Sequence, residues 1–368
     1  MPRSLPRPRA LLPLLLLFAR AASAQAVLGP TEDATVAPVG VLRFRVAWSW
    51  MNYTRSVTSP DSSAVAYVQV RTTPISTELG LLPRLSATLI APGSGTLSSA
   101  EWSSFDGVAW RVDSVVQTSH NGLGDVELGA KFAWLAGPSE PERIALSGGV
   151  RVRSALSAFY RFATGDPDSP TDPFDVGTGS ARAAVRVGSQ TDFMIGHGFW
   201  LSAVGHYAWP QPVTQPVQVR PPGLPLSAAY PLIDATESGG NYYSIEATPR
   251  VVLGRYFSVG MQYVYYHQDA SSFVGSKDTT IAGVPVTIDA STLDAASAGT
   301  ATYLSGSITY STVAAYLQGK NGLPVEVSFT HTGTLSASGS IPPSGVTNVV
   351  TVRFWARLWG SAWKRTKP

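Results

Sequence analysis

Leu42-Arg43-Phe44-Arg45-Val46-Ala47-Trp48-Ser49-Trp50 alternates without a break between large apolar residues and polar or small ones. Side chains of a β-strand point alternately to opposite faces, so this stretch has one apolar and one polar face. An amphipathic helix would repeat every three to four residues instead. The same reading extends outward along the chain. Val126, Leu128, Ala130, Phe132 and Trp134 oppose Asp125, Glu127, Gly129, Lys131 and Ala133. Ile245, Ala247 and Val251 oppose Ser244, Glu246, Thr248 and Arg250. Val350, Val352, Phe354, Ala356 and Leu358 oppose Thr351, Arg353, Trp355 and Arg357.

Three features separate a membrane barrel from a soluble sandwich. The alternating stretches run about 9 to 14 residues, near the 9–11 that a tilted transmembrane strand needs. Aromatics collect at their ends (Trp48, Trp50, Trp134, Tyr207, Trp209, Tyr265, Tyr266, Trp355 and Trp359), as interfacial girdles require. Connections alternate between short and long. Strands are predicted near 40–53, 72–82, 84–92, 124–135, 143–156, 178–189, 198–209, 241–252, 256–268, 301–316, 323–332 and 346–359. Short turns at 83–84, 136–142, 190–197, 254–255 and 317–322 fall on the periplasmic side. The long connections 54–71, 93–123, 157–177, 210–240, 269–300 and 333–345 fall outside. The fold class expected is all-β: an antiparallel up-and-down transmembrane β-barrel of about twelve strands with both ends periplasmic. Residues 108–118 and 64–71 also read as strands; adding both gives the alternative of fourteen.

The N-terminus carries Arg3, Arg7 and Arg9, then an apolar stretch over 10–19, then Ala22-Ser23-Ala24. That order is a cleavable secretory signal over 1–24, and an N-terminal membrane anchor is the competing reading. A periplasmic segment 25–39, the barrel 40–359 and a tail 360–368 follow. Cys is absent, which excludes disulfides, thiolate chemistry and a lipidated cysteine. Charged residues are only 14% of the chain and mean hydropathy is +0.08, yet no apolar run after the signal is long enough for a spanning helix. The net charge of +3 does not cluster outside Lys364-Arg365-Lys367, so nucleic acid is not an expected partner. Outer-membrane lipid and small solutes are.

Gly122-Leu123-Gly124-Asp125, leading into Val126-Glu127-Leu128-Gly129-Ala130-Lys131-Phe132, resembles the outer-membrane transporters assigned to meta-pathway phenol degradation. Gly40-Val41-Leu42-Arg43, Leu82-Pro83-Arg84-Leu85 and Gly177-Thr178-Gly179-Ser180 are similar to other parts of that family. The resemblance implies a porin-like barrel that admits small hydrophobic or aromatic compounds. The chain departs from the pattern in its Pro-rich stretch 210–231 and in ending without a terminal Phe. Read by itself, the Gly122, Gly124, Asp125, Gly129 motif is also a glycine turn that starts a strand.

No catalytic or metal constellation emerges. His120, His197, His206, His267 and His331 are scattered without metal-ligand spacing. No Gly-x-Ser-x-Gly elbow occurs, and His267 or His331 with a nearby Ser is the weaker hydrolase reading. Asp166, Asp168 and Asp172 match no calcium loop. No cofactor is expected. If apolar residues face lipid, a lumen lined by Arg43, Arg45, Lys131, Arg151, Arg153, Arg182, Arg186, Arg250, Arg353 and Arg357 results, against Asp125, Glu127, Glu246 and Glu326. Closure of the last strand on the first brings Arg43, Arg45, Arg353 and Arg357 together. They form either a cationic strip favouring anions or solvated arginines that reach Glu246 and Glu326. A turn near residue 139 predicts cross-strand ion pairs Asp125–Arg153 and Glu127–Arg151. Gly129, Ala133, Gly149, Ala155, Ala184 and Gly260 leave room in the lumen, whereas Trp355 fills it. The expected function is a narrow channel for small hydrophobic, aromatic or anionic solutes, with 93–123 folding into the mouth. The alternative is a structural or adhesive barrel with a closed lumen and partner-binding outer loops; a soluble periplasmic sandwich comes third.

Overall fold

The computed structural model describes residues 33–58, 62–105, 108–135, 150–169, 176–180, 182–195, 198–219, 232–254, 256–281, 284–317, 323–339 and 345–359. The proposed signal 1–24, the tail 360–368, Asp172 and His197 lie outside them.

Twelve antiparallel strands close into a barrel. In chain order its wall is β1 (Val41–Thr58), β2 (Ser62–Leu82), β3 (Leu85–Phe105), β5 (Glu127–Leu135), β6 (Val150–Arg161), β7 (Ala184–Ile195), β8 (Phe199–Pro210), β11 (Tyr242–Leu253), β12 (Phe257–Gln268), β16 (Gly299–Ser311), β17 (Val325–Gly339) and β18 (Gly345–Arg357). β18 closes on β1, with Arg45 opposite Arg353 and Arg43 opposite Trp355. Closure leaves the wall no unpaired edge in the membrane, the condition for crossing it with strands. The remaining strands stand outside the wall. β4 (Trp110–Leu123) pairs only with β3; β9 (Val213–Gln218), β10 (Leu232–Ser238) and β13 (Ser272–Val274) form a small sheet; β14 (Ser276–Ile281) and β15 (Val284–Asp289) form a hairpin.

The faces obey the alternation. Trp48, Leu128, Phe132, Trp134, Leu156, Ile245 and Ile308 are exposed outward, while Ala47, Lys131, Ala155, Asp192, Glu246 and Thr309 are buried inward. Phe44 lies tilted against Phe354 at one rim, and Tyr207 meets Trp209 at the other, as lipid-interface girdles do.

Several connections differ from expectation. Stretches 54–71 and 93–123 are mostly strand, because the two-residue alternation continues through Ala64, Ala66, Val68 and Val70. β2 and β3 reach 21 residues each, far beyond one membrane crossing. Together with the upper half of β1 and with β4 they form a tongue above the wall. β3 therefore changes partners along its length: Leu85–Ile90 pairs with β5, and Gly93–Phe105 pairs with β4. That is why 108–118 adds a thirteenth strand without enlarging the barrel, and why fourteen strands do not form. β7 begins several residues later than predicted, at Ala184, and β6 is described from Val150.

Candidate functional site: the lumen and the segment inside it

The inner end of the lumen is occupied by the chain itself. Residues 33–39 run inside the barrel and do not hang below it as a periplasmic segment. The N–H of Ala34 donates to Asp192 Oδ2 on β7 at 3.0 Å, and that of Ala37 donates to Glu78 Oε1 on β2 at 3.0 Å. Lys131 Nζ on β5 donates to the carbonyls of Asp33 at 2.9 Å and Thr35 at 3.4 Å. The segment thus spans from one wall to the other. Its residues Ala34, Thr35, Val36 and Ala37 are buried.

Two glycines make this path possible. Gly40 has φ +74°, the left-handed conformation that glycine adopts without strain, and it turns the segment into β1. A Cβ on Gly80 would lie 2.0 Å from the carbonyl oxygen of Pro38, so only a bare backbone lets the segment lie against β2. Gly40 N donates to the Gly80 carbonyl at 2.9 Å.

Charges around the segment are paired. Arg43 bonds Glu78 and reaches Asp33 at 3.4 Å, and Arg353 bonds Glu326 at 2.9 Å. Glu78 also accepts from Ser86 Oγ at 2.7 Å. Arg153 and Asp192 form a buried pair at 2.6 Å, and Ser202 donates to the other oxygen of Asp192 at 2.6 Å. The Arg153 guanidinium lies 4.9 Å above Trp200. Burial pushes the Asp33 carboxyl up, but Arg43, Lys131, Arg353 and Arg153 outweigh it and hold the group well below the usual carboxylate range.

The expected strip is therefore assembled but not bare. β1 and β18 do bring Arg43, Arg45 and Arg353 together, with the exposed Arg357 at the rim. Glu78 and Asp33 stand beside Arg43, and Glu326 beside Arg353. Glu246 instead accepts from Gln262 at 2.6 Å. Glu78 and Asp192 were absent from the sequence inventory of lumen acids, although each has the inward parity of its strand.

The two predicted cross-strand pairs do not form. The register of β5 on β6 sets Glu127 opposite Arg161, where Arg151 was expected. Glu127 bonds Arg186 on β7 at 2.6 Å, and Arg151 sits exposed at the lip. Arg153 goes to Asp192. Asp125 goes to a loop: its carboxylate accepts from the N–H of Gly165 at 3.0 Å, the N–H of Ser180 at 2.9 Å and Ser180 Oγ at 2.7 Å.

Those bonds give Gly124 and Asp125 a role, whereas a Cβ on Gly122 would meet Thr178 only at an ordinary 3.4 Å. Gly124, Gly165 and Gly179 meet backbone to backbone; a Cβ on Gly165 would lie 2.6 Å from Gly179 Cα and 3.1 Å from Gly124 Cα. Thr178 Oγ1 donates to the Leu123 carbonyl at 3.0 Å, and Thr164 Oγ1 to that of Gly124 at 2.8 Å. The motif is a knot between the β4–β5 corner and the loop after β6. Gly129 of the same motif packs on Phe159. In that loop Asp168 accepts from the Gly177 N–H at 2.8 Å, and the Asp166 carbonyl accepts from Gly179 at 2.9 Å.

The knot turns Val176 toward the outer lumen, where Thr96 Oγ1 donates to its carbonyl at 2.6 Å. Val176 joins Met51, Tyr53, Ala64, Ala66, Val68, Val70, Ala100, Val264, Ala301 and Tyr303 in one apolar cluster. The tongue's inward face thus packs across the lumen onto β12 and β16. What 93–123 contributes to the mouth is a sheet, chiefly through Ala100 and Trp102. From outside inward, the lumen is capped by apolar side chains, lined by Ser, Thr and Gln, and crossed at its inner end by the charged collar around 33–39.

No family model matches the sequence, and no curated protein is found similar to it. Among solved structures, an outer membrane channel from Pseudomonas putida F1 aligns with a TM-score of 0.53 at 12% identity, covering 89% of this chain and 100% of that one. The transport unit of the autotransporter AIDA-I from Escherichia coli has a TM-score of 0.39 at 9% identity, over 85% and 89% of the two chains. For the NanC porin the values are 0.34 and 11%, over 85% and 98%. At 12% identity the first of these is a likeness of fold. With its closed wall and aromatic girdles, the chain is a bacterial outer-membrane β-barrel.

Proposed function

We propose that the barrel is a passive outer-membrane channel for small solutes, gated at its inner end by residues 33–39. One observation carries this reading. What blocks the inner lumen is a short segment outside the strands, held by hydrogen bonds and ion pairs, not a wall filled with bulky side chains. Such contacts can be exchanged for water when the segment leaves.

The collar bears on selectivity. Arg43, Arg45, Arg153, Arg353 and Lys131 stand against Asp33, Glu78, Asp192 and Glu326, five cations to four carboxylates, so the selectivity we assign is a weak preference for anions rather than the strong one of a bare cationic strip. The apolar outer cap suits solutes with a small hydrophobic or aromatic body, in keeping with the family resemblance. No enzymatic step is part of this reading.

Liposome swelling with small neutral and anionic solutes tests the proposal, comparing the native protein with an Ala34→Pro/Ala37→Pro variant that lacks both segment N–H donors. Flux that rises in the variant is the expected result. Absence of flux in both would replace the channel with a closed structural barrel. Reversal potentials in planar bilayers test the charge reading, and cation preference would overturn it.

A further inference from the structure

Three wall side chains that hold residues 33–39 address the peptide backbone. Asp192 and Glu78 accept N–H groups three residues apart, from Ala34 and Ala37. Lys131, between them, donates to the carbonyls of Asp33 and Thr35. On β2 a fourth element is backbone as well: Val39 bridges Gly80 in parallel, and Gly80 has no side chain to exclude a neighbouring strand. Acceptors spaced for amide N–H and a donor aimed at carbonyls form a pattern that a chain bent as the segment is at Ala34 matches whatever its side chains, provided they are small. The native segment meets that condition with Ala34, Thr35, Val36 and Ala37.

We propose that this collar is a peptide-backbone site, occupied in the resting protein by the chain's own segment and open to short peptides of small residues when the segment leaves. The class of solute is an uncharged oligopeptide of about four to five residues, which spans roughly 13–18 Å when extended. The Asp33–Arg43 contact gives the tethered segment an extra hold that such a peptide lacks. Intramolecular tethering gives it a further advantage through effective concentration. The segment therefore fills the site in the native chain and competes with the solute. This inference rests on the segment being removable, as the channel reading holds.

The test is calorimetric and needs no flux. Full-length Ala34→Pro/Ala37→Pro protein in detergent is titrated with acetylated, amidated tetra-alanine and with its backbone N-methylated counterpart. An Asp33→Lys variant, which sets a cation against Arg43 and Lys131, serves as a second undocked form if the proline variant does not fold. Binding of tetra-alanine to the undocked protein, weakened about ten-fold or more by N-methylation and about ten-fold or more in the native protein, is the expected result. No binding to either undocked form, equal binding of the N-methylated peptide, or equal binding to the native protein overturns the proposal. Swelling assays on the same variants separate the two ideas. Increased flux without peptide binding removes the peptide site alone, whereas peptide binding without flux removes the channel and keeps the site.

Discussion

Ala34 and Asp192 are 158 residues apart, and the N–H of one donates to the carboxylate of the other at 3.0 Å. The same oxygen of Asp192 accepts from Arg153 Nε at 2.6 Å, so the segment and the wall share one acceptor. Occlusion of the inner lumen and the integrity of the wall are thereby coupled.

Ala34→Pro with Ala37→Pro removes both donors while leaving every wall residue in place. Single-channel recording is expected to show conductance rising several-fold over the native protein, with β-sheet content by circular dichroism unchanged. A conductance equal to native would mean that residues 33–39 do not limit passage.

Gly80→Val reaches the same end by crowding. Its side chain would invade the position of the Ala37 and Pro38 carbonyls, which lie 2.4 and 2.0 Å from a Cβ there. Increased conductance is expected, together with faster proteolysis near residue 33. A closely docked, protease-resistant segment in the variant would contradict the packing described.

Asp192→Asn leaves Arg153 charged and buried with its carboxylate partner gone; the two side chains are 0% and 2% exposed. Removing one member of a buried pair costs about 3–5 kcal/mol. Urea unfolding in lipid vesicles should show a loss of that order, and Arg153→Met with Asp192→Asn together should recover much of it. A loss below about 1 kcal/mol for Asp192→Asn would show that the pair is solvated.

Acidification separates Asp33 from an ordinary carboxylate. Its pKa in the docked state is lowered, so its contribution to docking is fully present above the free-carboxylate range and is lost only as pH falls through the depressed docked value. Between pH 7 and about 4.5, the native protein should therefore show no conductance increase attributable to Asp33. Asp33→Asn should be more conductive than native at pH 7, and the difference should persist to about pH 3, below the ordinary aspartate value near 3.9. A difference already lost at about pH 3 would mean Asp33 titrates normally.

Gly179→Ala tests the knot. The added methyl would lie 2.7 Å from Asp125 Oδ1 and 2.8 Å from Gly165 Cα. Limited proteolysis is expected to cut the 162–180 loop faster in this variant, with segment docking unaffected. Unchanged protection would leave the three-glycine contact without a role.

Much of the architecture was legible in the chain because a strand imposes a period of two. Leu42 to Trp50 assigned lipid and lumen faces correctly, as did Val126 to Trp134, and moving a strand's ends does not change the face any of its residues takes. The short and long connections yielded twelve wall strands. The site was less legible. A pairing partner depends on the register between strands, and a register ten residues further along β6 moved Glu127 from Arg151 to Arg161. Glu78 and Asp192 had inward parity but no local mark distinguishing them from other polar residues.

The sequence alone determined which residues meet lipid, since that choice rests on side-chain polarity and alternation, both local properties. Only the tertiary structure decided what fills the lumen. Barrel closure brings β2, β5 and β7 around residues 33–39, and the outward extension of β1–β3 bends an apolar face onto β12 and β16. Both contacts join residues far apart in the chain, and their energies depend on distance and burial that no local pattern encodes.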